Sequence, residues 1–82
     1  MSTLEEATAH LVMGIVDHPD DVTVRMSTNP RRGTTLVVHV HPEDMGRVIG
    51  RMGRTARAVR TVVNALNGGR AVRVDFVGPD GN

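Results

Sequence analysis

Cysteine, tryptophan, tyrosine and lysine are all absent from these 82 residues, and phenylalanine occurs once, at Phe76. Without cysteine the chain can form neither disulfides nor thiolate metal sites, and nothing in it points to an oxidising compartment. With one aromatic ring, placed to face inward on a predicted strand, a surface that stacks successive bases on aromatics is excluded. Long apolar runs are missing too. Stretches such as "LVVHV" fall far short of the roughly 20 residues that span a bilayer. The opening "MSTLEEATAH" carries Glu5 and Glu6 where a secretory leader would be basic and then apolar. A soluble, cytoplasmic domain is expected, without membrane contact. There is no internal repeat, and the length suits one modest domain.

The net charge of +1 says little, but its distribution says more. Residues 1–24 hold five acids (Glu5, Glu6, Asp17, Asp20, Asp21) and no arginine. Residues 45–74 hold seven arginines and no acid. A one-signed stretch is a candidate footprint for an anionic partner, although a solvated helix face would look the same.

Hydrophobic spacing gives the order of elements. Leu4, Ala7, Leu11 and Ile15 form a helical stripe across residues 4–16, with Thr8 beside it. Thr3, Glu5 and Glu6 supply the cap and the first-turn acids, and Pro19 stops the helix. Residues 22–26 alternate as a strand, "NPRRG" at 29–33 is a turn, and residues 34–40 are a second strand with Leu36, Val38 and Val40 on one face. Pro42, Glu43 and Asp44 open a short helix with Met45, Val48 and Ile49 on its apolar side. A longer helix over 54–66 places Ala56, Val59, Val62, Val63 and Leu66 within one arc, with Arg54, Arg57 and Arg60 nearly opposite. "NGG" closes that helix, and residues 71–77 form a third strand with Val72, Val74 and Phe76 inward. The order α-β-β-α-α-β, with a right-handed crossover, predicts a two-layer α+β domain on a three-stranded mixed sheet. Residues 1–77 are expected to form it, with 78–82 as a loose tail.

One feature resists this scheme. Gly50 and Gly53 interrupt what would otherwise be a single helix, each at a cost of roughly 0.5–1 kcal/mol relative to alanine. Two glycines before a helix start let an anion approach the unpaired backbone N–H groups there, and Arg51 adds a side-chain donor. Val48 and Ile49 would supply an aliphatic floor for bases. A lone G-x-x-G is common as a mere turn. Its setting between two short helices, after a strand and before an arginine face, is more specific.

The segment "GRVIGRMGRTARAVRTV" resembles the I-G-x-x-G signature of the KH family, whose loop clamps about four nucleotides of single-stranded backbone. The element order resembles the type II, bacterial-style KH fold. "IVDHPDDVTV" and "LVVHVHPEDMGRVIGRMGRTARAVRTVV" extend the resemblance over nearly the whole chain, to the small, stand-alone bacterial members of the KhpA family. That resemblance implies a single-stranded RNA binder, acting as an RNA chaperone or post-transcriptional regulator linked to cell shape, division and wall organisation. It implies a homodimer that also pairs with a larger KhpB (Jag/EloR)-like protein. By position the clamp is Gly50, Arg51, Met52 and Gly53, with Val48 and Ile49 in the groove. Arg54 and Arg57 lie beside the backbone path, and Arg47 joins them as a candidate contact. Such loops often carry lysine and a polar residue at the variable pair; Met52 departs from this and leaves Arg51 as the loop's one charged side chain.

Other chemistries fit less well. A helix-turn-helix DNA reader also joins two helices by a glycine turn, but three predicted strands argue against it. Neither the P-loop nor the dinucleotide-binding glycine pattern is present. His39 and His41, two apart near a strand end, lack further ligands once Glu43 and Asp44 are assigned to the helix start; no metal or cofactor is expected. No nucleophile, base and orienter come together in sequence, so no enzyme and no small-molecule substrate are expected. A KH-fold protein–protein interaction module remains the main alternative.

Overall fold

The computed structural model describes residues 3–78. The expected tail therefore lies mostly outside the described residues; Gly78, its first residue, is buried.

Helix α1 spans Leu4–Met13 and begins with a complete capping box. The Glu6 N–H donates to Thr3 Oγ1 at 3.1 Å, and the Thr3 N–H donates to Glu6 Oε1 at 3.3 Å. The helix is shorter than its apolar spacing suggests, and its centre of burial is shifted. Thr8 and Val12 are fully buried, whereas Leu4, Leu11 and Ile15 pack at the margin of the core. It ends at Gly14 because the chain must leave the helix to reach another anchor. The N–H groups of Asp17 and His18 donate to the two Asp44 carboxylate oxygens at 3.1 and 3.0 Å. His18 Nδ1 lies 3.1 Å from Asp44 Oδ2 as a further donor.

Asp44 is thus more than a first-turn acid. With 1% of its surface exposed, it ties the loop after α1 to the 3₁₀ turn at Pro42–Asp44. Burial alone would raise its pKa, but the two backbone donors and the His18 ring together outweigh this and hold it below the ordinary aspartate value.

Strands β1 (Thr23–Asn29) and β2 (Gly33–His39) form an antiparallel hairpin, and β3 (Arg73–Val77) adds in parallel beside β2. The sheet order is β1-β2-β3, so the mixed three-stranded sheet is as expected. Strand β1 runs three residues further than its alternation indicates. The turn sets this register: Asn29 Oδ1 accepts the N–H groups of Arg31 at 2.8 Å and Arg32 at 3.2 Å, and Gly33 takes the positive φ of 80° that closes it.

Between β2 and β3 come a 3₁₀ turn at Pro42–Asp44, α2 (Met45–Ile49) and α3 (Arg54–Leu66). The helices cover one face of the sheet. Their shared core is almost entirely valine, with Leu36 as the largest fully buried side chain. Only Ala56, Val59 and Val63 of α3 are buried. Val62 and Leu66, expected on the sheet side, are 42% and 55% exposed, because a narrow sheet and α1 cover only the middle of the apolar arc. No helix among the described residues is long and apolar enough to cross a membrane.

Candidate nucleic-acid interface

The chain turns between α2 and α3 within four residues. Gly50 adopts φ 74° and ψ 174°, Met52 φ 56° and ψ 26°, and Gly53 φ 74° and ψ 16°. A hydrogen bond from the Gly53 N–H to the Gly50 carbonyl, 3.2 Å, closes the turn. The two glycines are required for different reasons. A Cβ on Gly50 would collide with Thr55 Oγ1 and stand 2.9 Å from the Thr55 backbone nitrogen, so the loop and α3 touch backbone to backbone there. A Cβ on Gly53 would meet open space, and only its positive φ favours glycine. Met52 bears the same left-handed strain without that excuse, and its side chain projects outward, 80% exposed.

No side chain caps α3. The Arg54 N–H already donates to the Arg51 carbonyl, and the rest of the first turn, with the positive end of the dipole, lies behind a turn that carries no acid. Arg57 braces the turn from the helix: its Nη2 donates to the Met52 carbonyl at 2.7 Å. Beside the turn runs an open groove of about 640 Å³, walled on one side by Ile49, Met52, Ala56, Arg57 and Arg60, and on the other by β3 from Asp75 to Val77. A smaller depression lies between Met52, Arg54 and Arg57.

A strand, a short helix, a two-glycine turn, a helix without a side-chain cap and a groove of mixed lining along the sheet edge match one recurring arrangement. The family model for the KH domain of KhpA and KhpB matches residues 5–76. The chain belongs to the KhpA/KhpB KH family. Among its relatives, the protein named RNA-binding protein KhpA of Streptomyces coelicolor is 68% identical over 94% of this chain and 95% of its own. A protein of that name from Mycobacterium bovis is 60% identical over 92% and 91%. One from Halalkalibacterium halodurans is 46% identical over 94% and 99%.

Within this KhpA/KhpB-type KH fold, the residues singled out from sequence separate into three groups. Gly50, Arg51, Met52 and Gly53 form the turn, and Ile49, 40% exposed, opens onto the groove. Arg54 and Arg57 lie beside the turn on the exposed side of α3. Val48 and Arg47 stand elsewhere. Val48 has no exposed surface and supports the groove from within the core, because helical spacing turns it toward Val59 and the sheet rather than outward. The Arg47 guanidinium pairs with the Asp17 carboxylate at 3.1 Å and is not part of the groove wall.

Sequence reasoning missed the far wall. Phe76, expected inward, is half-buried and lines the groove together with Asp75 and Val77. Arg60, expected on an exposed face, reaches back through its Nε to the Val74 carbonyl at 3.3 Å. The signal available was the position of β3 at the end of the sheet, which α-β-β-α-α-β order does not by itself reveal.

The histidines also regroup. His39 does not join His41; instead His18, His41 and Glu43 bring three donor atoms within 4.8 Å of one another. The two imidazoles are stacked, with centroids 3.9 Å apart and planes 14° from parallel. Ring lone pairs lie in the ring plane, so stacked rings do not aim at a common ion. His18 Nδ1 is held by Asp44, and His41 Nδ1 accepts the Glu43 N–H at 3.1 Å. The cluster buttresses the entrance to α2.

Proposed function

We propose that this protein binds single-stranded RNA, with the phosphate backbone on the Gly50–Gly53 turn and bases in the groove between α3 and β3. The observation that carries this reading is the start of α3, without a side-chain cap, behind a turn whose backbone packs directly on Thr55 and opens onto a groove of mixed apolar and basic lining. A phosphate there finds backbone donors, the helix dipole and Arg51, and a base finds Ile49 and Phe76. The names of the relatives support the same conclusion, as does the absence of any acid from residues 45–74.

The reading extends to a cytoplasmic RNA chaperone or post-transcriptional regulator. Modest affinity per domain follows from a short clamp and few base contacts, and self-association or pairing with a KhpB-like protein would raise it by avidity. Exposed Val62 and Leu66 on α3 support such an assembly. Sedimentation velocity across a concentration series tests it directly: a single monomer boundary throughout would rule self-association out.

Fluorescence anisotropy with labelled single-stranded RNA, at two salt concentrations and beside a duplex control, tests RNA binding. Contact with two to four phosphates predicts a shallow salt dependence, a slope of about −0.7 per phosphate. The double substitution Arg51→Asp/Met52→Asp keeps both glycines, places two negative charges in the turn and is expected to abolish binding while leaving the melting curve close to wild type. Equal binding by both proteins would reduce the turn to a connector.

A further inference from the structure

Strand β3 borders the groove, and β1 forms the opposite edge of the sheet. Which backbone groups β1 shows on its outer side follows from register. The Val40 N–H donates to the Val77 carbonyl at 3.1 Å, so Val40 turns its backbone groups toward β3, and Leu36 and Val38 share that parity. Thr35, Val37 and His39 therefore turn theirs toward β1, where they face Ser27, Arg25 and Thr23. The alternate residues Val24, Met26 and Thr28 are left with N–H and carbonyl groups directed away from the sheet. Among the described residues no other backbone group bonds to them.

Exposed edges of this kind are usually blunted by proline, lysine, a bulge or a covering segment. Strand β1 runs for seven residues in continuous register with no proline, no lysine and no bulge. Of these residues only Val24 is not exposed. Helix α1 packs against the strand yet leaves Met26 40% exposed.

The strand is complementary to itself in one register. An antiparallel copy must set Val24, Met26 and Thr28 opposite one another, because only these carry outward groups. A two-fold centred on Arg25 would place two guanidinium groups directly opposite each other. One centred on Ser27 would put Val24 opposite Pro30, which has no N–H. Centred on Met26, the pairing sets Val24 against Thr28, Met26 against Met26 and Thr28 against Val24, each pair exchanging both bonds. Arg25 then lies opposite Ser27, and no like charges meet.

We propose that the β1 edge is a self-association surface, on which a second copy of this chain adds antiparallel about Met26 to form one six-stranded sheet. It is separate from the exposed face of α3 and does not depend on RNA binding. The two-fold stands perpendicular to the sheet, so the helices of both copies cover the same face and the Met26 side chains meet between them. Both β3 grooves stay open at the far ends of the joined sheet, five strand spacings or about 24 Å apart.

The chain has no cysteine, so single cysteine substitutions report this contact cleanly. Across the two-fold the Met26 Cα atoms would lie about 5.5 Å apart, within disulfide reach. Under mild oxidation Met26→Cys is expected to form a covalent dimer about tenfold faster than Thr23→Cys, because pairing raises the effective concentration of the first thiol alone. Thr23 is also exposed but would lie about 20 Å from its counterpart. Equal rates for the two variants would overturn the proposal. Sedimentation velocity gives a second reading without cross-linking. Val62→Asp/Leu66→Asp, which removes the α3 surface, is expected to retain a concentration-dependent dimer. Adding Met26→Arg should return it to monomer, with an unchanged melting curve. A dimer indifferent to Met26→Arg, or a Val62→Asp/Leu66→Asp protein that stays monomeric at every concentration, would equally overturn it. Failure to bind RNA would leave it standing.

Discussion

Two helical starts lie about ten residues apart in this domain and are finished in opposite ways. The 3₁₀ turn that leads into α2 is capped by His41, whose ring accepts the Glu43 N–H; the buried Asp44 carboxylate caps no N–H of α2 itself but collects the N–H groups of Asp17 and His18 and the His18 ring. At the entrance to α3, glycine stands at the cap position and no side chain caps the helix. The first is closed by the protein's own groups, and stability is the result. On the proposed reading, the second is left for a group from outside. On that reading the difference separates residues that hold the fold from residues that offer it to a ligand, although both segments lead into helices on the same side of the sheet.

Removing the closure at the first site should have the largest effect on folding. Asp44→Asn keeps the shape but weakens three hydrogen bonds at once, and its drop in melting temperature is expected to exceed that of either glycine substitution below. The effect has a pH signature. Because the folded carboxyl sits below the ordinary value of about 3.9, its stabilisation is complete at neutral pH and is lost as pH falls below about 4 through the folded value. The gap between wild-type and Asp44→Asn melting temperatures should therefore narrow in acid. A gap that persists unchanged to pH 3 would show that charge on Asp44 contributes nothing.

The two glycines sharpen the contrast within the second site. Gly50→Ala drives a methyl group into the Thr55 backbone and is expected to cost on the order of 2–3 kcal/mol, measured by denaturant unfolding. Gly53→Ala meets open space and should cost only about 1 kcal/mol, the effect of φ alone. Equal losses would mean that the turn is not pressed against α3.

The smallest expected effect is a gain. Thr8 Oγ1 is buried on α1 without a hydrogen-bond partner, so Thr8→Val should stabilise by about 1 kcal/mol, a rise of about 4–8 °C in a domain of this size. A loss instead would show that the hydroxyl is satisfied in solution.

Much of this was legible from the residues because local rules agree with the global fold. Thr3 and Glu6 announce their capping box, Leu36, Val38 and Val40 alternate into the core, and α3 begins and ends where its pattern says. The turn could be located from Gly50 and Gly53 alone. What periodicity cannot give is a contact made across the fold. Asp44 looks like an ordinary first-turn acid until Asp17 and His18 are folded against it, some 26 residues away in sequence. Arg60 and Phe76 likewise become a pair only once β3 is known to be the free edge. Val48 shows the converse error: its neighbour Ile49 reaches the groove, while one step along a helix turns Val48 wholly into the core.

The central claim is that the second helical start, not another surface, receives the nucleic acid. Its most direct test is an amide chemical-shift titration of the isotopically labelled protein with short single-stranded RNA. The largest shifts are expected on Arg51 to Ala56 and on Phe76, with little change at Asp17, His18 and Asp44. Shifts centred instead on Val62 and Leu66, or on the outer face of the hairpin with the turn silent, would contradict it.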